Sequence, residues 1–289
     1  MRVAVLGLGR MGAPIAQRLE QAGHELCVWN RSPEAMDPFI GRGIPALAHP
    51  VDAWEQVDVC ITMLADGAAV EAVTLGERGL LRSDAPGVLI DMSTVSAATS
   101  AKVAAECAGR GVAFLRAPVT GNPSVVVAGN LGIIVSGPQD QFERLTPMLA
   151  DIGPNLFYVG SGEQSRIVKL ALNLMIGGTA QLLAEALVLA EKHGIGRGDM
   201  LEVIAGSAIG SPFVKYKMDA LVADDYSSTF TTRLMHKDLS LLLEAGHDAE
   251  VPLPLAASLG PLIEGCIAIG MGDDDFMALL PRLRRDAGL

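Results

Sequence analysis

Aromatic side chains are scarce: phenylalanine, tryptophan and tyrosine together make up 4% of 289 residues. A surface that stacks sugars or bases needs rings, so none is expected, and the core must be aliphatic. Cysteines are few and dispersed. Cys27, Cys60, Cys107 and Cys266 form no CxxC pair and have no histidine cluster nearby. That is the pattern of buried, reduced thiols in a cytoplasmic protein, and no metal site is expected. Positive charge is in deficit, with 22 Lys plus Arg against 33 Asp plus Glu, a net charge of −11 and no long basic run. Nucleic acid and anionic membrane are therefore poor partners. The uncharged stretch from Leu170 to Ala184 carries Asn173, Thr179 and Gln181 and falls short of the roughly 20 residues that cross a bilayer. At the N-terminus a single arginine precedes a strand-like run and a glycine loop, unlike a secretory signal.

Apolar residues are 50% of the chain, enough for a sizeable core, and the length suggests about two domains. Short apolar runs alternate with helical patterns through the first half. Arg2–Leu6, Glu25–Trp29, Val57–Met63, Val88–Asp91, Val112–Leu115, Leu131–Val135 and Asn155–Val159 all read as strands. Such alternation predicts an α/β domain with a doubly wound parallel sheet, the Rossmann arrangement. After Gly160-Ser161-Gly162 the character changes. Arg166 to His193 reads as one long helix, and the remainder is helical with breaks at Gly206–Pro212, Asp224–Thr229 and Val251–Pro254. We therefore expect a dinucleotide-binding domain over 1–161 and an all-helical domain over 162–289. The long helix is too apolar for one exposed face, which suggests a homodimer or homotetramer built through the helical domain.

Gly7-Leu8-Gly9-Arg10-Met11-Gly12 fits GxGxxG directly after the first strand and before the first helix. In that context Gly7 permits the tight turn, Gly9 lets backbone approach a pyrophosphate, and Gly12 lets helix pack on strand. Where the second strand ends, an NAD site usually places a carboxylate for the ribose hydroxyls; this chain has Asn30-Arg31-Ser32. An arginine flanked by hydrogen-bonding side chains suits a 2′-phosphate, so NADP(H) is the expected cofactor, with NAD(H) possible. Asp37 lies past Pro33 on an expected helix and is a poor ribose ligand. Lys169 and Asn173 are four apart on the long helix, hence on one face, among apolar neighbours. A lysine so placed is suited to proton transfer.

Taken in order, these motifs resemble the β-hydroxyacid dehydrogenases, the group that includes 3-hydroxyisobutyrate dehydrogenase and the glyoxylate/succinic semialdehyde and tartronate semialdehyde reductases. The resemblance runs through Gly7–Gly12, Asp91-Met92-Ser93-Thr94, Ala117-Pro118-Val119-Thr120-Gly121, Lys169 with Asn173, and Lys237-Asp238-Leu239. It implies Lys169 as general acid/base and Asn173 as the residue that orients substrate. It further implies that Ser93, Thr120, Gly121 and Asn122 line a pocket for a small carboxylate-bearing substrate. Thr94 and Lys237 would approach the nicotinamide end of the cofactor, Met63 and Leu64 its adenosine and ribose. A second positive charge from Lys237 would depress the pKa of Lys169.

Departures from the family pattern concern the pocket. Arg116 stands where the substrate loop usually begins with Asp, Asn122 where it usually ends with Gly, and Glu163 and Ser165 where glycines are usual. Arg116 could bind a second anionic group on the substrate or make a structural salt bridge. Lys215 and Lys217 are a thin basic cluster that could serve a phosphorylated sugar acid. His236 reads as a capping or solvated residue, and Asp224-Asp225 and Asp273–Asp275 read as helix caps. The expectation is an NADP(H)-dependent oxidoreductase that interconverts a small β-hydroxy acid and its semialdehyde. An imine reductase on the same scaffold and a non-catalytic NADP-binding regulator are the alternatives.

Overall fold

The computed structural model describes residues 1–83, 87–228 and 230–289. It divides into two compact units, Met1–Lys169 and Leu170–Leu289. Strands β1 (Arg2–Leu6), β2 (Glu25–Trp29), β3 (Val59–Thr62), β4 (Val88–Asp91), β5 (Ala113–Arg116), β6 (Val119–Thr120), β7 (Gly132–Val135) and β8 (Asn155–Tyr158) all lie in the first unit. Its helices are α1 (Gly12–Gln21), α2 (Asp37–Ile40), α3 (Gly67–Leu75), α4 (Ala97–Gly109), α5 (Pro123–Val127) and α6 (Gln139–Ile152). Helix α7 (Gln164–Lys192) begins in the first unit and continues into the second. The second unit adds α8 (Arg197–Gly206), α9 (Pro212–Val222), α10 (Thr232–Asp248), α11 (Pro254–Ala268) and α12 (Leu279–Asp286).

Five strands form a wholly parallel sheet in the order β2-β1-β3-β4-β5. Their side chains alternate between two cores: Val3, Val5, Ile61 and Ile90 enter one, while Ala4, Leu6, Cys60 and Leu89 enter the other. Both faces being covered, the strands read as unbroken apolar runs. The expectation of one parallel sheet needs an amendment at β6, which pairs antiparallel with β7, while β7 pairs parallel with β8. The cause is local. Past the end of β5 the chain stays extended, and Arg116 and Ser136 exchange both backbone hydrogen bonds at 2.9 Å while Ile134 N–H donates to Pro118 O. The segment 113–120 thus pairs parallel with β4 on its first half and antiparallel with β7 on its second.

Helix starts follow from side-chain caps: Asp66 accepts from Ala69 N–H, Ser96 from Thr99, Ser211 from Val214 and Thr231 from Leu234. Asp275 also caps, accepting from Met277 N–H. Asp224 does not. It takes φ 51° after α9 and pairs with Arg197 at 2.6 Å, so the cap expected there is a tertiary ion pair instead. Of the expected break at 224–229, Thr229 lies outside the described residues.

Helix α7 corrects the reading of its apolar stretch. With the residues flanking Leu170–Ala184 it runs for 29 residues and is, by length and composition, apolar enough to cross a membrane. Its residues Leu170, Ala180, Leu183, Ala184, Leu187 and Val188 pack in the core of the second unit with Met235, Leu239, Leu259 and Ile263, as a core helix does. Met175, Leu182 and Leu189, seven residues apart, stay exposed at 69%, 64% and 64%. The units part within this helix, past the expected division at 161/162, because its first residues pair with strand ends of the first unit.

Candidate functional site

The glycine loop leaves β1 at the point where strand order reverses, between β1 and β3, the crevice that binds ligands in open parallel sheets. Gly7 has φ +99°, and a Cβ there would stand 2.4 Å from Met63 O. A Cβ on Gly12 would stand 1.8 Å from Gly7 O, so the loop closes on itself only with glycine at both places. Gly9 is the opposite case, since a Cβ there meets nothing within 4 Å. Its exposed backbone faces open space in front of α1, whose start at Met11 carries no side-chain cap. Among the described residues the N–H groups of Gly9, Met11 and Gly12 have no acceptor. Free N–H groups beside an open glycine at a helix start suit a pyrophosphate.

Asn30 serves the loop from the side. Its Oδ1 accepts from Leu8 N–H at 2.9 Å and its Nδ2 donates to Ser32 O at 3.0 Å. Through these two bonds the side chain shapes the loop. Arg31 and Ser32 are exposed, and Arg31 makes no hydrogen bond or ion pair among the described residues. Arg10 is exposed, and Met63, Leu64 and Thr94 are partly buried at the ends of β3 and β4.

Beside this crevice lies a buried charge cluster that the sequence did not reveal. Asp91, the last residue of β4, and Arg166, in the first turn of α7, form an ion pair at 2.6 Å with both side chains 1% exposed. Arg166 also donates to Ser93 O at 2.6 Å and to Ser100 Oγ at 3.2 Å. The second oxygen of Asp91 accepts from Thr62 Oγ1 at 2.7 Å and from Ser93 Oγ at 2.6 Å, and Ser93 Oγ accepts from Leu64 N–H. Ser93 is fully buried: its hydroxyl donates to Asp91, and its N–H also faces that carboxylate at 3.2 Å. A signal was present: an aspartate closing an all-apolar strand and an arginine opening an apolar helix are charges that burial must pair.

In the segment 117–122, Thr120 and Asn122 are partly buried and Gly121 adopts φ +133°. Asn122 caps α5, its Oδ1 accepting from Val125 N–H at 3.0 Å and Ser124 Oγ at 2.7 Å. Arg116 is buried and pairs with Glu163. Ser165 Oγ bonds Ser136 Oγ at 2.8 Å and donates to Arg116 O. Three departures from the family pattern therefore meet in one polar cluster, and of the two roles open to Arg116 the structure shows the salt bridge. Lys169 follows on α7, partly buried, within the same compact unit.

In the second unit Asn173 is buried, and its Nδ2 donates to Asp238 Oδ2 at 2.5 Å. Lys237 lies 3.2 Å from the other oxygen of Asp238. Lys217 is no surface cation. It is buried against Asp275 at 2.7 Å, so the basic cluster suggested for a phosphorylated substrate loses its second member. His236 is paired with Glu264 at 3.0 Å. Among the described residues no group of His, Cys, Asp and Glu could hold a metal.

Comparison with known proteins agrees with this architecture. Residues 2–160 match the family model of the NAD-binding domain of 6-phosphogluconate dehydrogenase. Residues 160–283 match that of the NAD-binding region of NADP-dependent 3-hydroxyisobutyrate dehydrogenase. The chain is 33% identical to 2-(hydroxymethyl)glutarate dehydrogenase of Eubacterium barkeri, over 97% of this chain and 94% of that one. It is 35% identical to 3-hydroxyisobutyrate dehydrogenase of Pseudomonas aeruginosa, over 88% of each. The solved 3-hydroxyisobutyrate dehydrogenase of Salmonella typhimurium superposes with a TM-score of 0.88 at 26% identity, covering 97% of this chain and 99% of that one. A glycine-loop parallel sheet, a helical second unit and two matched family models lead to one conclusion: the chain is an NAD(P)-binding oxidoreductase of the β-hydroxyacid dehydrogenase family.

Proposed function

We propose that the chain is a cytoplasmic, NADP(H)-dependent enzyme that interconverts a small β-hydroxy acid and its semialdehyde, with Lys169 as general acid/base. The observation that carries this is the placement of Lys169 one turn beyond the buried Arg166–Asp91 pair, in the same compact unit as the glycine and substrate loops. The free N–H groups at the start of α1 would hold the pyrophosphate, and Arg31 with Ser32 the 2′-phosphate. Met63 and Leu64 would pack beside adenosine and ribose, with Thr94 and Lys237 toward the nicotinamide. Bound there, the cofactor supplies or accepts a hydride.

The chain's own residues do the remainder. The Thr120 hydroxyl, the Gly121 N–H and the Asn122 amide nitrogen would hold the substrate carboxylate, since the Asn122 oxygen is occupied in capping. Asn173, anchored to Asp238, would orient the reacting oxygen. In the reducing direction the Lys169 ammonium passes a proton to the carbonyl oxygen as the carbon gains hydride, and later recovers one from solvent. A fixed donor set for the carboxylate and one proton source for the developing alkoxide are what this reaction requires. The exposed stripe Met175, Leu182 and Leu189 supports a homodimer joined along α7.

The test is initial-rate consumption of NADPH, and separately NADH, with glyoxylate, succinic, methylmalonate and tartronate semialdehydes and a sulfonated aldehyde. We expect turnover with NADPH and a loss of at least about 100-fold in Lys169→Ala. Tight NADPH binding with no turnover of any aldehyde would overturn the reading in favour of C=N reduction or of a regulator without catalysis.

A further inference from the structure

Arg166 is the largest fully buried side chain among the described residues. A guanidinium removed from water is costly, and an apolar side chain of similar volume would often be at least as stable there. What Arg166 supplies that an apolar residue lacks is direction. Its nitrogens are divided among Asp91 Oδ2 and O, Ser93 O and Ser100 Oγ, acceptors on β4, on α4 and on the loop between them, which admit one orientation of the guanidinium. Lys169 lies three residues further along α7, and side chains three apart are neighbours on one helix face. A helix turns by roughly 100° per residue, so Lys169 leaves α7 about 60° short of a full turn past Arg166, and fixing the azimuth of one fixes that of the other.

The same acceptor cluster reaches the glycine loop. Ser93 Oγ, bonded to Asp91, takes the N–H of Leu64, and the neighbouring Met63 O is the atom against which Gly7 closes. From these contacts we propose that Arg166 is a positioning residue for Lys169, referencing the first turns of α7 to the loops that follow β3 and β4. This rests on the reading of Lys169 as the acid/base. Arg166 touches neither substrate nor cofactor; it acts through one helical turn.

The test uses the full-length chain and two readouts. The first is the rate at which trace acetic anhydride acetylates Lys169 as a function of pH, mapped by peptide mass and referenced to the exposed Lys102. The second is the kinetics of NADPH oxidation with the best aldehyde, beside the NADPH dissociation constant. Arg166→Met is expected to alter Lys169 acetylation relative to Lys102 by about threefold or more, or to move its midpoint by about half a pH unit. It should lower kcat by about 10–100-fold while the NADPH dissociation constant stays within about threefold. Arg166→Lys, which keeps the charge and part of the hydrogen bonding, should recover part of both.

If Arg166→Met does not fold, the Asp91→Asn/Arg166→Met pair, which leaves no buried charge unmatched, takes its place. A folded variant with wild-type Lys169 acetylation and wild-type kcat overturns the proposal. So does a kcat loss matched by an equal loss of NADPH affinity with acetylation unchanged. Should the wild type turn over no aldehyde, the assigned activity fails, and the acetylation profile alone still decides whether Arg166 sets the position of Lys169.

Discussion

Arg116, the last residue of β5, and Glu163, the residue before α7, are ion-paired through Nε at 2.8 Å and through a second guanidinium nitrogen to the same carboxylate oxygen. The pair sits at the base of the segment 117–122, proposed above to hold substrate, and neutralises the Arg116 cation. We expect the ratio of kcat/KM for a dicarboxylate semialdehyde to that for a monocarboxylate one to change by less than about threefold in Arg116→Met. A selective loss on the dicarboxylate would show that Arg116 reads substrate. Stability should respond instead, by about 2–3 kcal/mol, because Glu163 is left partly buried without its cation. Arg116→Met/Glu163→Gln should recover part of that in thermal unfolding.

The proposed NADP(H) preference rests on Arg31, while Asn30 shapes the loop. Arg31→Ala should lower kcat/KM for NADPH by about 10–100-fold, the value of one or two charge-assisted hydrogen bonds, with NADH nearly unaffected. Asn30→Ala removes the acceptor of Leu8 N–H and should weaken both cofactors alike. Parallel loss of NADPH and NADH in the arginine variant would place Arg31 outside the 2′-phosphate site.

Leu182→Glu, in the middle of the exposed Met175–Leu182–Leu189 stripe, should shift the proposed homodimer toward monomer in sedimentation velocity at micromolar concentration. Charge buried in an apolar interface is unpaired, and its desolvation opposes association. An unchanged sedimentation coefficient would exclude that stripe as the contact.

Acid should weaken the second unit through the carboxyls that its arginines hold ionised. Burial pushes Glu191 up, but hydrogen bonds from Arg197 and Arg284 outweigh it and hold the carboxyl below its ordinary 4.5. A hydrogen bond from Arg197 likewise lowers Asp224 below 3.8. Carboxyls depressed on folding contribute stability that is complete above their unfolded values and lost as pH falls through the folded ones. The wild type should therefore lose stability below about pH 4, and Arg197→Met should flatten that limb and lower Tm at neutral pH. A limb of unchanged slope in the variant would remove Arg197 from the acid response.

The four thiols should be inert in the folded chain. All are buried and unpaired with one another, and burial pushes Cys27 up to about 11 and Cys107 to about 12. Ellman's reagent at pH 8 should titrate four groups after unfolding and fewer than one beforehand. Rapid labelling of a native thiol would contradict the burial.

Much of this molecule was legible because its signals are local. The strands, the glycine loop and the long helix announce themselves by periodicity and by residues that tolerate only one backbone, such as Gly7 and Gly12. That Lys169 and Asn173 share one helix was visible from their spacing. What escaped was pairing across distance. Nothing near Arg116 in the chain indicates Glu163, nothing near Lys217 indicates Asp275, and nothing near Asp91 indicates Arg166. The antiparallel turn of the sheet at β6 was hidden for the same reason, since Pro118 and Thr120 read as loop until β7 is set beside them.

The first unit ends inside a helix, and that limits how the chain can be cut. Severed at residue 161, the nucleotide-binding part would keep Asp91, Arg116 and Ser136 but lose Arg166, Glu163 and Ser165. Two buried charges of opposite sign and a buried hydroxyl would be left facing partners that are no longer there. A fragment meant to stand alone must carry the opening turns of α7 with it. By the same logic, a chimera that exchanges helical halves between relatives has to keep this chain's residues 162–169 with its own sheet.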